Sequence, residues 1–299
     1  MNYYIKIPCL SLERTLESGQ CFRWRREESD GGEVIYCGIA GTRAARIRQE
    51  PDGITVLDAE ESDVRFGERA KREDFAARPE FPTFGGLSSE LPEAVRFWMD
   101  YFDAETDYEA ILNRFSEDGI LRRAVSENRG LRILRQEPFE TLITFILSQN
   151  NNIPRIRGLV ERLCAAFGEP NGSGYGFPTA ERLARAELSK LEPVRAGFRT
   201  RYIMDAAKKV AAGTVDLSEV GRADYETGKA MLRGIVGVGE KVADCVLLFA
   251  YHKTEAFPSD VWIKRVMAEY YKNGLPECAA GEKGIAQQYL FEYFRKKTK

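Results

Sequence analysis

The sequence predicts an α+β protein, with an antiparallel, β-rich N-terminal domain followed by a larger, mostly α-helical domain. Short apolar segments separated by glycine and aspartate turns occupy residues 1–60, whereas apolar residues recur at three- and four-residue spacing after Pro92. The 299 residues, 43% of them hydrophobic, are enough for more than one core. We expect the two domains to comprise residues 1–115 and 116–299.

The N-terminal segment predicts a meander of short strands. These strands are Tyr3–Ile7, Cys21–Arg25, Glu33–Ile39, Ala44–Arg48 and Ile54–Leu57. Gly41 and the pair Asp52-Gly53 indicate turns, because glycine adopts turn conformations at no steric cost. The charge-dense segment from Glu60 to Arg78 predicts either a solvated helix or a loop, without an assigned function.

The remainder of the chain predicts a series of helices. Apolar periodicity indicates Glu93–Phe102, Pro138–Leu147, a stripe from Ile156 to Phe167, Tyr202–Ala212, Lys241–Tyr251, Val261–Tyr271 and Gly284–Lys297. Pro138 suits a first helical position, and Gly168 suits a helix end. The helix from Pro138 is apolar on most sides, which predicts a place in the core. Residues 171–176 are glycine-rich and predict a flexible loop.

Composition argues against several classes of protein. No apolar run reaches the roughly 18 residues of a membrane span, and residues 1–7 lack the features of a signal peptide, so we expect an intracellular protein. The six cysteines form no CxxC pair, which disfavours zinc, iron–sulfur and disulfide frameworks. A single histidine, His252, disfavours a serine triad or a multi-histidine metal site. Because the net charge is only −2, any nucleic-acid surface must be local.

The segment Gly237-Val238-Gly239 connects two predicted helices. Alternate glycines let backbone amides approach an anion closely, and the N-terminus of the next helix adds partial positive charge. The turn therefore suits a backbone phosphate. Taken alone, a Gly-x-Gly turn is more often a tight helix connection that binds nothing.

Lys241 and Cys245 are four residues apart and share a face of the helix that follows this turn. A lysine in the first helical turn meets the unfavourable end of the helix dipole, which disfavours its charge and favours a nucleophilic amine if the site is also desolvated. An imine-forming lysine needs this property. The alternatives are a solvated surface lysine and, for Cys245, a small buried hydrophobic residue.

Asp260 follows Pro258-Ser259 and precedes an apolar helical stripe. Its default role is therefore that of a helix N-cap, which contributes about 1 kcal/mol. A capping carboxylate that faces Lys241 is also able to stabilise a cationic, sugar-like transition state and to transfer protons to and from the amine.

These residues together resemble the helix-hairpin-helix DNA glycosylase superfamily. The pattern is a glycine hairpin, then Lys-Val-Ala-Asp-Cys at 241–245, then Pro-x-Asp-Val at 258–261 at the start of a helix. Within the superfamily, the sequence is most similar to 8-oxoguanine DNA glycosylases, on three further segments, 17–24, 134–140 and 148–156. The likeness extends through most of the chain. It implies a helical glycosylase domain with two subdomains that flank an active-site cleft.

The resemblance also implies a reaction and a set of residues for it. Such enzymes extrude the damaged nucleotide from the duplex. Lys241 would attack the anomeric carbon, expel 8-oxoguanine and form an imine that leads to β-elimination, with Asp260 assisting. The carbonyl of Gly19 would accept the N7 hydrogen of the oxidised base. Gln287 would form hydrogen bonds with that base, Phe291 would stack on one of its faces, and Cys245 would lie against the other face. The alternative for Gln287 and Phe291 is that they simply belong to an amphipathic helix.

A second set of residues matches those that read the orphaned cytosine in this family. Asn150, Arg155 and Arg199 offer the donors and acceptors that a cytosine edge requires. Phe198 falls at the position of an aromatic wedge, inside a basic stretch suited to phosphates. Taken alone, residues 150–152 would indicate a turn and Phe198 a core position.

The resemblance further implies partners and cofactors. The hairpin, with Gly237 and Gly239, would contact the DNA backbone. The carbonyls of Arg233, Ile235 and Val238 would bind a structural monovalent cation, and no other cofactor is expected. We expect a monomer that acts on double-stranded DNA containing 8-oxoguanine, without a membrane partner, in the cytoplasm or nucleoid if the source is bacterial.

Three positions depart from the family pattern. Phe198 replaces a common tyrosine, and Trp262 stands where relatives often carry histidine. The segment Glu292–Phe294 does not reproduce the acidic residue seen near the end of some members. Trp262 puts one phosphate contact in doubt. Two alternatives remain open: a glycosylase of the same fold for alkylated purines or mispaired adenine, and a DNA-binding module without catalysis.

Overall fold

The computed structural model describes residues 2–28, 32–57, 83–84, 91–171 and 174–297. Within these ranges, the main sheet contains β1 (Tyr3–Lys6), β2 (Trp24–Glu28), β3 (Val34–Ala40), β4 (Arg43–Glu50), β5 (Gly53–Leu57) and β6 (Thr83–Phe84). The prediction of a β-rich N-terminal part is confirmed. The predicted helix or loop from Glu60 to Arg78 lies outside the described residues.

The strands lie in the order β2-β3-β4-β5-β1-β6. The first five pair antiparallel with their neighbours, and β6 runs parallel to β1. The predicted strand Cys21–Arg25 is displaced, since β2 begins at Trp24 and continues to Glu28. Only Trp24 is buried in β2, so this strand has no alternating apolar pattern, and the buried residues Cys21 and Phe22 precede it.

The described chain contains thirteen α-helices. They are α1 (Leu12–Leu16), α2 (Glu93–Tyr101), α3 (Tyr108–Phe115), α4 (Gly119–Asn128), α5 (Pro138–Ser148), α6 (Ile153–Phe167), α7 (Ala180–Ala184), α8 (Thr200–Ala211), α9 (Leu217–Arg222), α10 (Tyr225–Arg233), α11 (Glu240–Tyr251), α12 (Val261–Tyr270) and α13 (Lys283–Lys297). The prediction of a mostly helical second part is confirmed. None of the described helices combines the length and apolar character needed to cross a membrane.

Two groups of buried residues form separate cores. One lies between the sheet and α2, where the rings of Trp24 and Trp98 meet edge to face at 6.0 Å. The buried leucines of α1 belong to this first core, whereas the second core gathers α3 to α13 around α5, in which eight of eleven residues are buried. In this core, α5 and α11 pack side by side. The C-terminal end of α5 lies beside the N-terminal end of α11, where Ser148 meets Lys241. The division of the chain at residues 115 and 116 stays a prediction.

The glycine-rich segment 171–176 differs from the predicted flexible loop. β7 (Pro170–Asn171) pairs antiparallel with β8 (Gly174–Tyr175). The Arg23 guanidinium donates a hydrogen bond to the Tyr175 carbonyl and also pairs with Glu140 of α5 at 3.2 Å. Contacts from outside the segment therefore hold β8, and such contacts leave no local sequence signal.

Candidate active site

A cavity of about 1250 Å³ opens where α1, the α5–α6 connection and the N-termini of α11 and α12 meet α13. Six of the predicted site residues line it, namely Gly19, Asn150, Gly239, Lys241, Asp260 and Phe291. Cys245 and Gln287 are buried outside the lining, and Arg155, Phe198, Arg199 and Gly237 are not part of it. The fold thus gathers residues from distant parts of the sequence around one space.

Lys241 lies in the first turn of α11, which has Gly239 as its N-cap without a side-chain capping bond. Its Nζ is 3.4 Å from Ser148 Oγ and 5.0 Å from the centre of the Phe145 ring. Both neighbours come from α5 and neither carries a charge. A partly buried amine at the positive end of a helix, against a hydroxyl and a ring, has the surroundings of a lysine nucleophile.

Cys245 lies one helical turn beyond Lys241 and is buried. Burial raises the pKa of the Cys245 thiol to about 11; the Lys241 ammonium opposes this rise, and the carboxylates of Asp244 and Asp260 add to it. The thiol is therefore neutral at physiological pH and presents a polarisable surface rather than a thiolate. Because Lys241 and Asp260 both act on this thiol, the three side chains share one neighbourhood.

Asp260 is the N-cap of α12, as its sequence position predicts. Its Oδ1 accepts a hydrogen bond from the Ile263 amide at 2.8 Å. The side chain is partly buried and lines the cavity. One carboxylate oxygen thus fixes the orientation of the group, which leaves the other oxygen for a cationic partner in the cavity.

Gly19 also lines the cavity, from the loop between α1 and β2, and has a φ of +81°. A Cβ at this position would lie 3.1 Å from Ile153 Cδ1 and 3.9 Å from Phe291 Cε1. Both the positive φ and the close neighbours favour glycine. The preceding carbonyl, of Ser18, accepts a hydrogen bond from Gln288 Nε2 at 3.1 Å, so α13 holds this loop in place.

The two other predicted base contacts lie on α13, and only one of them lines the cavity. The Phe291 ring lines the cavity beside Gly19. Gln287 is 3% exposed, and its Oε1 has no hydrogen-bond partner among the described residues. A buried amide oxygen without a partner is costly unless a ligand supplies a donor.

The predicted cytosine-reading residues lie at the α5–α6 connection and before α8. Asn150 has a φ of +49° and is exposed at the cavity. Arg155 is exposed in the first turn of α6, where Asn152 Oδ1 accepts from its amide at 3.0 Å. Phe198 is 46% exposed, with its ring 5.8 Å from that of Tyr202. These three side chains are available to a partner.

Arg199 differs from them because it is buried, with 4% of its surface exposed. Its guanidinium donates to the backbone carbonyl of Gln149, at 2.8 Å from Nε, and to that of Asn150, at 3.4 Å from Nη2. The same group lies 4.3 Å from the centre of the Phe198 ring. In this structure Arg199 therefore shapes the Asn150 loop and supports the exposed ring, and a direct contact with cytosine stays a prediction.

The glycine hairpin packs against α8 through Gly237 and Tyr202. Gly237 has a φ of +84°, and a Cβ there would overlap the Tyr202 ring, so only glycine fits. Its carbonyl accepts a hydrogen bond from Gln149 Nε2 at 3.0 Å. An added Cβ at Gly239 would meet open space, which leaves this backbone accessible to a phosphate.

The predicted cation ligands are the carbonyls of Arg233, Ile235 and Val238. The Ile235 carbonyl accepts from the Val238 amide at 3.1 Å, which leaves one lone pair for a cation. Lys209 Nζ donates to the adjacent Gly234 carbonyl at 2.8 Å. Carbonyl oxygens in this turn fit a hard cation. Among the described residues, no three His, Cys, Asp or Glu side chains are grouped to hold a metal ion.

Sequence reasoning missed several residues that shape the site. Ser148 and Phe145 contact the Lys241 amine, Ile153 packs against Gly19, and Tyr202 fills the space at Gly237. Each lies on another element, so local periodicity contains no signal for it. Trp262 also lines the cavity, and the Arg265 guanidinium lies 5.2 Å from its ring centre.

Comparisons with known families agree with this geometry. Residues 4–142 match the family described as 8-oxoguanine DNA glycosylase, N-terminal domain. Residues 143–275 match the HhH-GPD superfamily of base excision DNA repair proteins. Together the two matches extend over residues 4–275, which include Lys241 and Asp260 but not α13.

Individual relatives are similar over most of the chain. The N-glycosylase/DNA lyase of Saccharomyces cerevisiae is 30% identical over 88% of this chain and 69% of its own length. A probable N-glycosylase/DNA lyase of Methanothermobacter thermautotrophicus is 31% identical over 69% of this chain and 75% of its own. The Clostridium acetobutylicum 8-oxoguanine glycosylase/lyase, solved with duplex DNA containing cytosine opposite 8-oxoG, superposes with a TM-score of 0.76 at 28% identity, covering 100% of this chain and 99% of that one.

Proposed function

Because this chain belongs to the 8-oxoguanine DNA glycosylase family of the HhH-GPD superfamily, we propose that it excises 8-oxoguanine from duplex DNA and cleaves the strand as an abasic-site lyase. The observation that carries the proposal is the Lys241 amine in the cavity, against the Ser148 hydroxyl and the Phe145 ring. An amine is the nucleophile that links base removal to strand cleavage, because it forms an imine.

The oxidised base must first leave the duplex, because its glycosidic bond is out of reach inside the stack. The cavity would receive it between the Gly19 loop and α11. The Gly19 carbonyl would accept the N7 hydrogen, which 8-oxoguanine has and guanine lacks. Phe291 would stack on the base, the free Gln287 Oε1 would accept from its donor edge, and the neutral Cys245 would lie against the other face.

Chemistry would then proceed from Lys241. Its neutral amine attacks C1′, the C1′–N9 bond breaks, and the base departs with the electron pair and takes up a proton. Loss of the amine proton and opening of the sugar give an imine, loss of a C2′ proton then expels the 3′ phosphate, and water releases the lysine. Asp260, oriented by its bond to the Ile263 amide, would stabilise the cationic sugar and carry protons.

The opposite strand would be read at the α5–α6 connection. Asn150 and Arg155 would bond to the edge of the orphaned cytosine, and Arg199 would hold the Asn150 loop and complete the same recognition. Phe198 would enter the space left by the extruded base. The side chains of Asn150, Arg155 and Phe198 are exposed, which supports these roles.

The hairpin would bind the DNA backbone through amides at Gly237 and Gly239. A monovalent cation bound by the carbonyls of Arg233, Ile235 and Val238 would supply positive charge there for a phosphate. The proposed base recognition and imine chemistry need only groups of this protein and water, so no further cofactor is proposed. We also propose that the protein acts as a monomer, in the cytoplasm or nucleoid of a bacterial source.

A cleavage panel tests this function. The wild type and Lys241→Gln are incubated with three kinds of duplex. They contain 8-oxoguanine opposite each of the four bases, 3-methyladenine, or, as a test of adenine excision, adenine opposite 8-oxoguanine. We expect cleavage at 8-oxoguanine, fastest opposite cytosine, and a covalent adduct with borohydride that Lys241→Gln reduces by at least ~10³-fold. Release of alkyladenine without 8-oxoguanine would favour the other lesion class, and DNA binding without cleavage would favour a binding module.

A further inference from the structure

Lys229 of α10 forms a partly buried network with two carboxylates of α11. Its Nζ lies 2.7 Å from Glu240 Oε2 and 3.0 Å from Asp244 Oδ1. The Tyr225 hydroxyl lies 2.9 Å from the same nitrogen and donates to Asp244 Oδ1 at 2.7 Å. One ammonium therefore serves both carboxylates.

These two carboxylates flank Lys241 in the sequence. Glu240 immediately precedes it, and Asp244 lies three residues beyond, on the neighbouring helix surface and in the lining of the same cavity. A carboxylate three residues from a lysine is a natural ion-pair partner for it. Such a pair stabilises the ammonium form, which has no lone pair for attack on C1′.

Lys229 and Tyr225, rather than Lys241, bind the Asp244 carboxylate. The Asp244 side chain is 7% exposed, whereas the Lys241 amine contacts Ser148 and Phe145. We propose that Lys229 is a positioning residue that holds the carboxylates of Glu240 and Asp244 away from the Lys241 amine, so that this amine reaches its neutral, nucleophilic form. The role rests on the proposed function, in which Lys241 is the nucleophile.

The charge on Lys229 is well maintained. Burial favours its neutral form, but hydrogen bonds with Glu240, Tyr225 and Asp244 outweigh burial and raise the pKa of Lys229 above its usual range. The hydrogen bond from Lys229 in turn lowers the pKa of Glu240. Both partners therefore remain ionised at physiological pH, and the network keeps its charges there.

Other charged or titratable groups face the same cavity and act on Lys241 in both the wild type and the variants. They are Glu13, Arg14, Glu17, Arg157, Asp260, Lys264, Glu292, Arg295 and Lys296 from the lining, together with the neighbouring Cys245. Outside the lining, the Arg233 guanidinium of α10 also lies 2.7 Å from Glu240 Oε1. Lys229 differs from all of these groups because it contacts both Glu240 and Asp244. Lys229 is itself outside the cavity lining, so its substitution removes a charge without replacing a lining side chain.

The test compares Lys229→Met with Lys229→Arg in single-turnover borohydride trapping on 8-oxoguanine duplex from pH 5.5 to 9.5. We expect the midpoint of the acid limb to rise by about one pH unit in Lys229→Met and to return towards the wild-type value in Lys229→Arg. The double variant Lys229→Met/Asp244→Asn, which removes both charges, should also return it. A slower reaction with an unmoved acid limb in Lys229→Met would assign Lys229 to packing and overturn the proposal.

Two further measurements keep the outcome separate from folding and from the proposed function. Tyr225→Phe removes one hydrogen bond to Asp244 and should move the midpoint in the same direction by a smaller amount; no movement in a folded Tyr225→Phe protein counts against the network. Titration of the reductively ¹³C-methylated free protein follows the Lys241 ammonium by NMR without DNA, with Lys241→Gln for assignment. A wild type that fails to trap refutes the proposed function, whereas an unchanged NMR midpoint in Lys229→Met refutes only the role of Lys229.

Discussion

The two sides of the cavity differ in how far the protein itself fixes their side chains. On the catalytic side, Lys241, Cys245 and Asp260 are partly or fully buried, and Asp260 is held by the α12 amide of Ile263. On the opposite side, Asn150 and Arg155 are exposed. The proposed catalytic groups are thus arranged without DNA, whereas the proposed recognition groups would acquire their partners from the DNA. Substitutions on the two sides should therefore affect different measurements.

The largest effect is expected at Asp260. Asn caps a helix about as well as Asp, so Asp260→Asn removes the negative charge and keeps the bond to the Ile263 amide. We expect the single-turnover rate of base release to fall by roughly 10²-fold or more, because the cationic sugar loses its carboxylate. The melting temperature should be unchanged in Asp260→Asn and lower in Asp260→Ala, which loses the cap. Wild-type activity of Asp260→Asn would leave only the capping role.

An intermediate effect is expected at Arg155. It is exposed at the start of α6, so Arg155→Ala leaves the core intact. We expect the preference for cytosine over the other three opposite bases to fall about tenfold, since paired hydrogen bonds to a base edge contribute roughly 1–3 kcal/mol. Arg155→Lys is the matched control, because it keeps the charge and loses the paired donors. An unchanged preference in Arg155→Ala would rule out this role.

The smallest effect is expected at Phe198. Its half-exposed ring packs only by its edge on Tyr202 and over Arg199. Phe198→Ala should slow base release about fivefold, which corresponds to roughly 1 kcal/mol of lost stacking in the opened duplex. Phe198→Leu should lose less, because it keeps most of the volume. A fall in melting temperature as large as that of a core substitution would show that Phe198 stabilises the protein instead.

Much of the fold was accessible from the sequence where the pattern is long and local. The α5, α6, α11, α12 and α13 helices have apolar periodicity over ten or more residues, and they lie within a few residues of their predicted ends. The five-residue α1 is too short to show a period. The β2 strand is polar beyond Trp24, because its other side chains face solvent, so its position was misjudged.

The candidate site shows the same limit. Lys241 and Asp260 were identified from their positions at helix starts, and Gly19 from the family resemblance, and the structure places all three at one cavity. The burial of Arg199 was not foreseen, because it depends on carbonyls of residues 149 and 150, about fifty positions away. The network of Lys229 escaped for the same reason, since α10 meets α11 only through tertiary packing.

The contact between Gly237 and Tyr202 ties two parts of the protein into one mechanical unit. The Tyr202 ring occupies the place of a side chain at Gly237, and its other neighbour is the ring of Phe198. The Tyr202 ring therefore fixes the distance between the glycine hairpin and the proposed wedge residue, Phe198. A substitution at Gly237 or Tyr202 should displace both the hairpin and Phe198. We therefore expect positions 202 and 237 to covary among homologous sequences.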